Sequence, residues 1–310
     1  MEFVQDEVGV TVPATSANLG PGFDALGLAL SLRDVLQTRV IGSGLEIVVA
    51  GKGADAVPRD ESHLVVRSMR AAFDRLGGQP TGLRLSCCNL IPHGRGLGSS
   101  SAAIVAGVSL ARALVRDGEQ VLDDDALFQL AAEIEGHPDN VAPALYGGLV
   151  ISGVDDGVFF AARSRVDPRI SVIAFVPPTP VETTVARGLL PEVVPHAVAA
   201  ANSGRAALLV AALAGQPQLL LTATRDYLHQ DYREPAMPAS LAFVRALRAD
   251  GIPAVVSGAG PTVLAFVDQG PDPAATSEEV LARLEALAER CPQGWVARPL
   301  AVEPDGVKPA

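Results

Sequence analysis

Residues 93–103 read His-Gly-Arg-Gly-Leu-Gly-Ser-Ser-Ser-Ala-Ala, with glycine at 94, 96 and 98 and hydroxyls at Ser99, Ser100 and Ser101. Glycines spaced in this way let backbone N–H groups close on an anion. A helix beginning at the serines directs its orphan N–H groups and positive dipole end at the same point. The serine hydroxyls suit phosphate oxygens or a divalent cation, and Arg95 supplies positive charge. A P-loop carries lysine directly after its last glycine, where this chain has Ser99. The stretch reads either as a nucleotide site that works without lysine or as a serine-capped helix after a loose turn.

Two more loops are comparable. Residues 13–24, Pro-Ala-Thr-Ser-Ala-Asn-Leu-Gly-Pro-Gly-Phe-Asp, follow a short strand and offer Thr15, Ser16, Asn18 and Asp24 from a rigid edge. Residues 256–262, Val-Ser-Gly-Ala-Gly-Pro-Thr, join two strands and can form an N–H concavity for an anion. Any one of the three is also an ordinary turn; their joint occurrence is not ordinary.

These loops need elements to hold them. Over 7–12, Val8, Val10 and Val12 alternate with smaller or polar residues, the period of a half-buried strand, and Pro13 stops it. A second strand is expected at 44–50. Apolar residues at helical spacing run over 63–76 to the stop Gly77-Gly78. Residues 83–87 alternate again and lead into the glycine–serine loop, and a helix follows over 102–115. A helix over 124–135 ends at Gly136 and Pro138, and 147–175 is strand-like with turns at 153–157 and 166–168. Beyond these come a strand at 170–176, helical segments at 199–214 and 218–227 and a helix at 240–249. Strands at 254–257 and 262–267 then precede a helix at 277–290 whose Glu278 and Glu279 favour its N-terminus. Strands and helices mixed in each half give an α+β fold of two domains, 1–165 and 166–310.

Length and composition agree. A single core of 310 residues is near the upper limit, so two are expected. The chain is 48% apolar and 19% charged, with a net charge of −11 that disfavours nucleic-acid partners. An acidic start, and no apolar run of the roughly 18 residues a membrane span requires, point to a cytoplasmic protein without a membrane partner. Cys87, Cys88 and Cys291 fit neither a disulfide framework nor C-x-x-C metal spacing. Lys52 and Lys308 are the only lysines among 24 basic residues. That disfavours a Schiff-base enzyme, a P-loop NTPase and a Lys–Glu pair of the protein-kinase type.

The wording PATSANLGPGFDALG, GRGLGSSSAA and SGAGPT, in this order, resembles the three signature motifs of the GHMP small-molecule kinases. Within that superfamily the first motif, together with Glu-Ile-Glu-Gly-His-Pro-Asp-Asn-Val-Ala-Pro from Glu133 on, resembles the homoserine kinase family. The resemblance spans residues 8–266. It implies an N-terminal domain like the second domain of ribosomal protein S5, a ferredoxin-like C-terminal domain, and ATP with Mg²⁺ in the cleft between them. A phosphate loop without lysine is normal for this family.

The same resemblance implies roles. Pro92, His93, Gly94, Arg95, Gly96, Leu97 and Gly98 would hold the nucleotide with Ser99, Ser100 and Ser101. His63 stands near adenine where relatives often have asparagine, although a surface histidine at a helix start is the competing reading. Ser99 and Glu133 are the expected Mg²⁺ ligands, with Glu135 as a competitor that a helix turns to a different face. The acceptor would meet Asn18, Asp24, His137, Asp139, Thr183, Arg187, Arg233 and Gly258, and the arginines' planar forks suit a carboxylate. Glu133, His137 and Asp139 form the expected catalytic set. With no lysine to assist, Asp139 is read as an orienting and electrostatic group rather than a base. The implied activity is ATP-dependent phosphorylation of the side-chain hydroxyl of L-homoserine, and relatives suggest a homodimer. A kinase of this superfamily for another small alcohol, or a catalytically silent ligand binder on the same fold, are the competing readings.

Overall fold

The computed structural model describes residues 2–270 and 278–310, so Ser277, expected to open the last helix, lies outside the described residues. Two sheets carry the molecule. The first contains β1 (Val8–Asn18), β2 (Gly22–Val40), β3 (Gly44–Gly51), β4 (Gly82–Asn89), β5 (Leu149–Asp155), β6 (Val158–Ser164) and β11 (Lys308–Pro309). Its main path runs β11-β1-β2-β4-β3; β5 pairs with the first half of β2, and β6 with β5. Among the described residues of this sheet only the β3–β4 pair is parallel. The second sheet runs β10 (Val296–Ala301), β7 (Ile170–Val176), β9 (Val263–Asp268), β8 (Ala254–Val256), antiparallel throughout. This mixed two-sheet arrangement is the expected α+β architecture.

Helices α1 (Leu64–Leu76), α2 (Ser99–Leu114), α4 (Asp124–Glu135) and α5 (Pro138–Tyr146), with the single turn α3 (Gly118–Val121), go with the first sheet. Their shared core includes Leu28, Leu30, Met69, Phe73 and Ile104. Helices α9 (Pro238–Ala249) and α10 (Glu278–Ala288) cover the second sheet around Ile173, Phe175, Leu241 and Val244. Between these bodies lie α6 (Thr183–Gly188), α7 (His196–Gly215) and the single turn α8 (Leu220–Ala223). A full helix over 218–227 does not form.

Three further findings differ from the sequence reading. First, β1 does not stop at Pro13 but runs to Asn18, with register shifts between Pro13 and Ala14 and between Ala17 and Asn18. An irregularity is where a strand tolerates a residue without N–H. Second, the longest strand, β2, has no signal in the sequence reading. Residues 26–30 are buried on both faces, so no alternation appears there. Third, α7 is 20 residues long and, by length and composition alone, apolar enough to cross a bilayer, contrary to the expectation that no run reaches that length. Alanine is the commonest residue of that run, at nine of 20 positions. Leu209, Ala212 and Leu213 pack into the main core, and the buried Asn202 amide donates to the Pro21 carbonyl and accepts from the Tyr227 N–H.

Residues 302–310 return to the first sheet. Val302 bridges Leu30, the Glu303 N–H reaches the Ala29 carbonyl, and β11 pairs with β1.

Candidate functional site

The three glycine loops meet. The phosphate-loop candidate leaves β4 and enters α2 with Gly94, Gly96 and Gly98 all in the left-handed region, at φ of 62°, 70° and 68°. Part of the reason is packing: a Cβ at Gly96 would stand 2.1 Å from the Ser257 carbonyl oxygen, and one at Gly98 would stand 1.9 Å from Thr15 Oγ1. The Ser257 hydroxyl donates to the Gly96 carbonyl at 2.6 Å and hydrogen-bonds Ser16 Oγ at 2.8 Å. The Gly258 N–H reaches the Ala17 carbonyl, and Asn18 Nδ2 donates to the Gly258 carbonyl at 2.8 Å. Thr15 and Ser16 are thus buried fasteners between loops, while Asn18 and Gly258 lie on the wall of the cleft they enclose, a cavity of about 430 Å³.

Gly94, Gly96, Gly98, Ser99 and Ser100 line this cleft. Gly98 precedes α2 without a side-chain cap, so the loop is not a serine-capped turn. Ser100 and Ser101 instead donate to one oxygen, Glu135 Oε1, at 2.6 and 2.7 Å. Leu97 contributes backbone only: its carbonyl accepts from the Thr15 N–H and its side chain is in the core.

The expected ligand Glu133 is not there. Its carboxylate pairs with Arg75 on the outer surface at 3.1 Å, with both side chains more than half exposed. Asp123 caps α4 through the Ala126 N–H, and Gly136 ends it at φ 89°. Residues two positions apart on an α-helix differ by about 200°, so the phase that turns Glu133 to solvent turns Glu135 into the cleft. Glu135, not Glu133, is the carboxylate beside the serines.

Gly136 releases the chain into α5, where His137 and Asp139 meet. His137 Nδ1 lies 2.6 Å from Asp139 Oδ1, and Asp139 is 2% exposed. Burial opposes protonation of His137, yet the Asp139 hydrogen bond and the charges of Asp139 and Glu135 hold its pKa above the ordinary histidine value. Asn140, on the same wall, accepts from the Thr15 hydroxyl at 2.8 Å. The sequence reading quoted it only within a motif.

α6 brings Thr183 and Arg187 to the wall of the same cleft, and residues 231–236 bring Arg233. Asp24 is not itself on the wall. Its carboxylate is gripped by both terminal nitrogens of Arg187, at 2.8 and 3.1 Å, and this contact raises the arginine's pKa. Arg233 is different. It is 1% exposed, its Nη1 donates to the Gly258 carbonyl and to His229 Nδ1 at 3.1 Å each, and its Nε has no partner among the described residues. Burial, then the charge of Arg187, pull its pKa down to about 10. Both guanidinium carbons lie over the Phe23 ring, at 5.8 Å for Arg187 and 5.4 Å for Arg233.

A second cavity of about 270 Å³ shares Ser99 and Ser100 with the cleft and is walled by Val57, Pro58, Leu64 and Val65. His63 lies in it at 5% exposure with Nδ1 unpartnered, so it is no surface histidine, and burial lowers its pKa. His93 also lines it; Pro92 and Arg95 face a separate groove. Arg95 is not a free cation for phosphate. Its guanidinium donates to the backbone carbonyls of His93, Pro177 and Pro178, tying the loop to the end of β7. Among the described residues no group of three or more His, Cys, Asp or Glu forms a metal cluster. A magnesium site needs few protein ligands.

Two family descriptions match the chain, GHMP kinases N terminal domain over residues 63–148 and GHMP kinases C terminal over 206–289. The chain is 58% identical over 301 residues to a homoserine kinase of Streptomyces coelicolor, covering 96% of each chain. It is 57% identical over 299 residues to a homoserine kinase of Streptomyces avermitilis, covering 96% of this chain and 94% of that one. A crystal structure of homoserine kinase from Cytophaga hutchinsonii superposes with a TM-score of 0.80 at 26% identity, over 100% of this chain and 99% of the other.

Proposed function

The chain belongs to the GHMP kinases and, among them, to the homoserine kinases; from that membership we propose that its cleft moves the γ-phosphoryl group of ATP onto the side-chain hydroxyl of L-homoserine. The products are ADP and O-phospho-L-homoserine, a step of threonine biosynthesis. One observation carries the placement of substrate: buried Arg233, with an unpartnered Nε, shares one cleft with the glycine loop and Glu135. An amino-acid carboxylate satisfies that nitrogen, whereas a neutral alcohol leaves a charge buried without an anion.

Phosphoryl transfer asks for positioning and charge stabilisation more than covalent chemistry. The backbone of residues 94–98 and the uncapped first turn of α2 hold the triphosphate in this proposal, and the cavity around His63 takes the adenine. The donor set fits Mg²⁺: Glu135 accepts both serine hydroxyls through Oε1, and among the described residues Oε2 makes no hydrogen bond. Ser99 stands beside them on the wall. When bound, Mg²⁺ neutralises phosphate charge. Asp139, fixed by His137, orients the acceptor hydroxyl and stabilises charge near it; Asn18, Thr183 and Gly258 complete the acceptor wall. Asp24 acts through Arg187. A cytoplasmic homodimer belongs to the same proposal, and light scattering in solution tests the dimer.

ADP release is measured with L-homoserine and with a panel of sugar and mevalonate-like alcohols, with and without Mg²⁺. Metal-dependent turnover of homoserine alone is expected. Turnover of one of the other alcohols, with none for homoserine, overturns the assignment.

A further inference from the structure

His229 is fully buried, outside the cleft, and the mechanism above gives it no part. It sits four residues before Arg233 in the turn that leads into residues 231–236. Asp226, whose carboxylate accepts the N–H groups of Leu228, His229 and Gln230, shapes that turn. The ring stacks on Phe23, with centroids 5.2 Å apart and planes 26° apart. One ring nitrogen, Nε2, is 2.8 Å from the Gly20 carbonyl oxygen, which can only accept. The other, Nδ1, is 3.1 Å from Arg233 Nη1, which can only donate. This partner set admits one form of the side chain, the neutral tautomer with its proton on Nε2. Burial first, then the charge of Arg233, keep the imidazole pKa below its ordinary value against the pull of Asp226.

The consequence falls on the guanidinium. Nη1 is engaged by His229 and by the Gly258 carbonyl, while among the described residues Nε has no partner and Nη2 makes no hydrogen bond. Nε and Nη2 form one edge of the arginine fork, the edge that Arg169 turns on Asp167 elsewhere in this chain, at 3.1 and 2.7 Å. We propose that His229 is a positioning residue of the acceptor site, accepting from Nη1 so that the Nε/Nη2 edge of Arg233 is presented to the carboxylate of the amino-acid substrate. This rests on the reading of Arg233 given above.

Three variants separate the two nitrogens from mere packing. In His229→Asn the amide oxygen can take the place of Nδ1 and keep the arginine contact. In His229→Gln the terminal amide can take the place of Nε2 and keep only the Gly20 contact. In His229→Phe the ring and its stacking on Phe23 stay, and both hydrogen bonds go. Steady-state kinetics are compared with Arg233→Ala, and thermal midpoints are recorded for all four. The Gln and Phe variants are expected to raise the KM for homoserine roughly tenfold, with the KM for ATP and kcat little changed, and Asn to stay within about threefold of the parent. The inference is overturned if Arg233→Ala raises the homoserine KM while Gln and Phe do not. It is also overturned if Asn behaves like Phe, or if the two KM values rise together. An unchanged homoserine KM in Arg233→Ala removes the carboxylate reading itself.

Discussion

At the residue scale, Arg187 and Arg233 differ in what each guanidinium already holds. Arg187 holds Asp24 with both terminal nitrogens, whereas Arg233 keeps Nε free in the interior. Truncating Arg233 to Ala should therefore raise the KM for homoserine by roughly ten- to a hundredfold, since a charge-assisted contact is lost, and calorimetry should find ATP affinity unchanged. Lysine at this position should rescue only in part, because a point charge cannot reproduce the fork. The two glutamates of α4 make a second comparison at this scale. Glu135→Gln should depress Mg²⁺-dependent turnover by about a hundredfold, as a hard anionic ligand is removed from the serine pair. Glu133→Gln loses only an exposed ion pair with Arg75 and should stay within about twofold of the parent. Titrating the metal for both variants checks this, and the reverse result would return the metal to the outer face of α4.

At the scale of elements, the phosphate-loop candidate is held from two sides. The Arg95 fork ties it to the end of β7, and Asp34 on β2 ties down its start by accepting the N–H groups of Leu90 and Ile91 at 2.6 and 2.9 Å. Asp34 is 5% exposed, and burial lifts its pKa to about 6 although both N–H contacts oppose this. A carboxyl whose folded pKa is raised binds a proton in the folded state that the unfolded chain has already lost. Stability therefore falls as pH climbs from the unfolded value of about 4 to about 6, and is flat above. Asp34→Asn keeps the accepting Oδ1 without the charge. It should be more stable than the parent at pH 7.5, by up to the order of 2–3 kcal/mol, with no gain below pH 4. Urea denaturation across that pH range gives the comparison; an equal difference at every pH would show that the charge is not the cause.

Across the whole molecule, the chain closes on itself. Arg33 of β2 is only 15% exposed at its side chain, and donates to Thr11 and to the carbonyls of Asp305 and Gly306 while pairing with Glu303 at 3.3 Å. This clip holds residues 302–310 against the first sheet, opposite in sequence to the strand they cover. Arg33→Ala should lower the thermal midpoint by several degrees, consistent with about 2–4 kcal/mol of lost charge-assisted contacts. Turnover at room temperature should be near the parent's, because Arg33 does not line the cleft. Calorimetry and initial rates on the same preparation test both halves of that expectation.

What the amino-acid sequence determined by itself was local. The glycines of residues 93–103 and the helix stops at Gly77 and Gly136 are requirements of a few consecutive residues, so they could be read from the chain. The α+β mixture and the kinship of the three loops were legible for the same reason. The tertiary structure decided what depends on a distant neighbour. Glu135 rather than Glu133 meets the serines because packing of α4 against α2 sets the helix phase. Arg95 is satisfied by carbonyls more than 80 residues away, His63 is buried under a loop that the local pattern does not announce, and residues 26–30 of β2 show no alternation because both of their faces are covered. His229 carries no signal of its own beside Arg233. Its form follows from Gly20, whose carbonyl is 209 residues away in sequence and 2.8 Å away in space. A hydrogen-bond partner at such a separation is chosen by how the loops pack, and no window of neighbouring residues contains it.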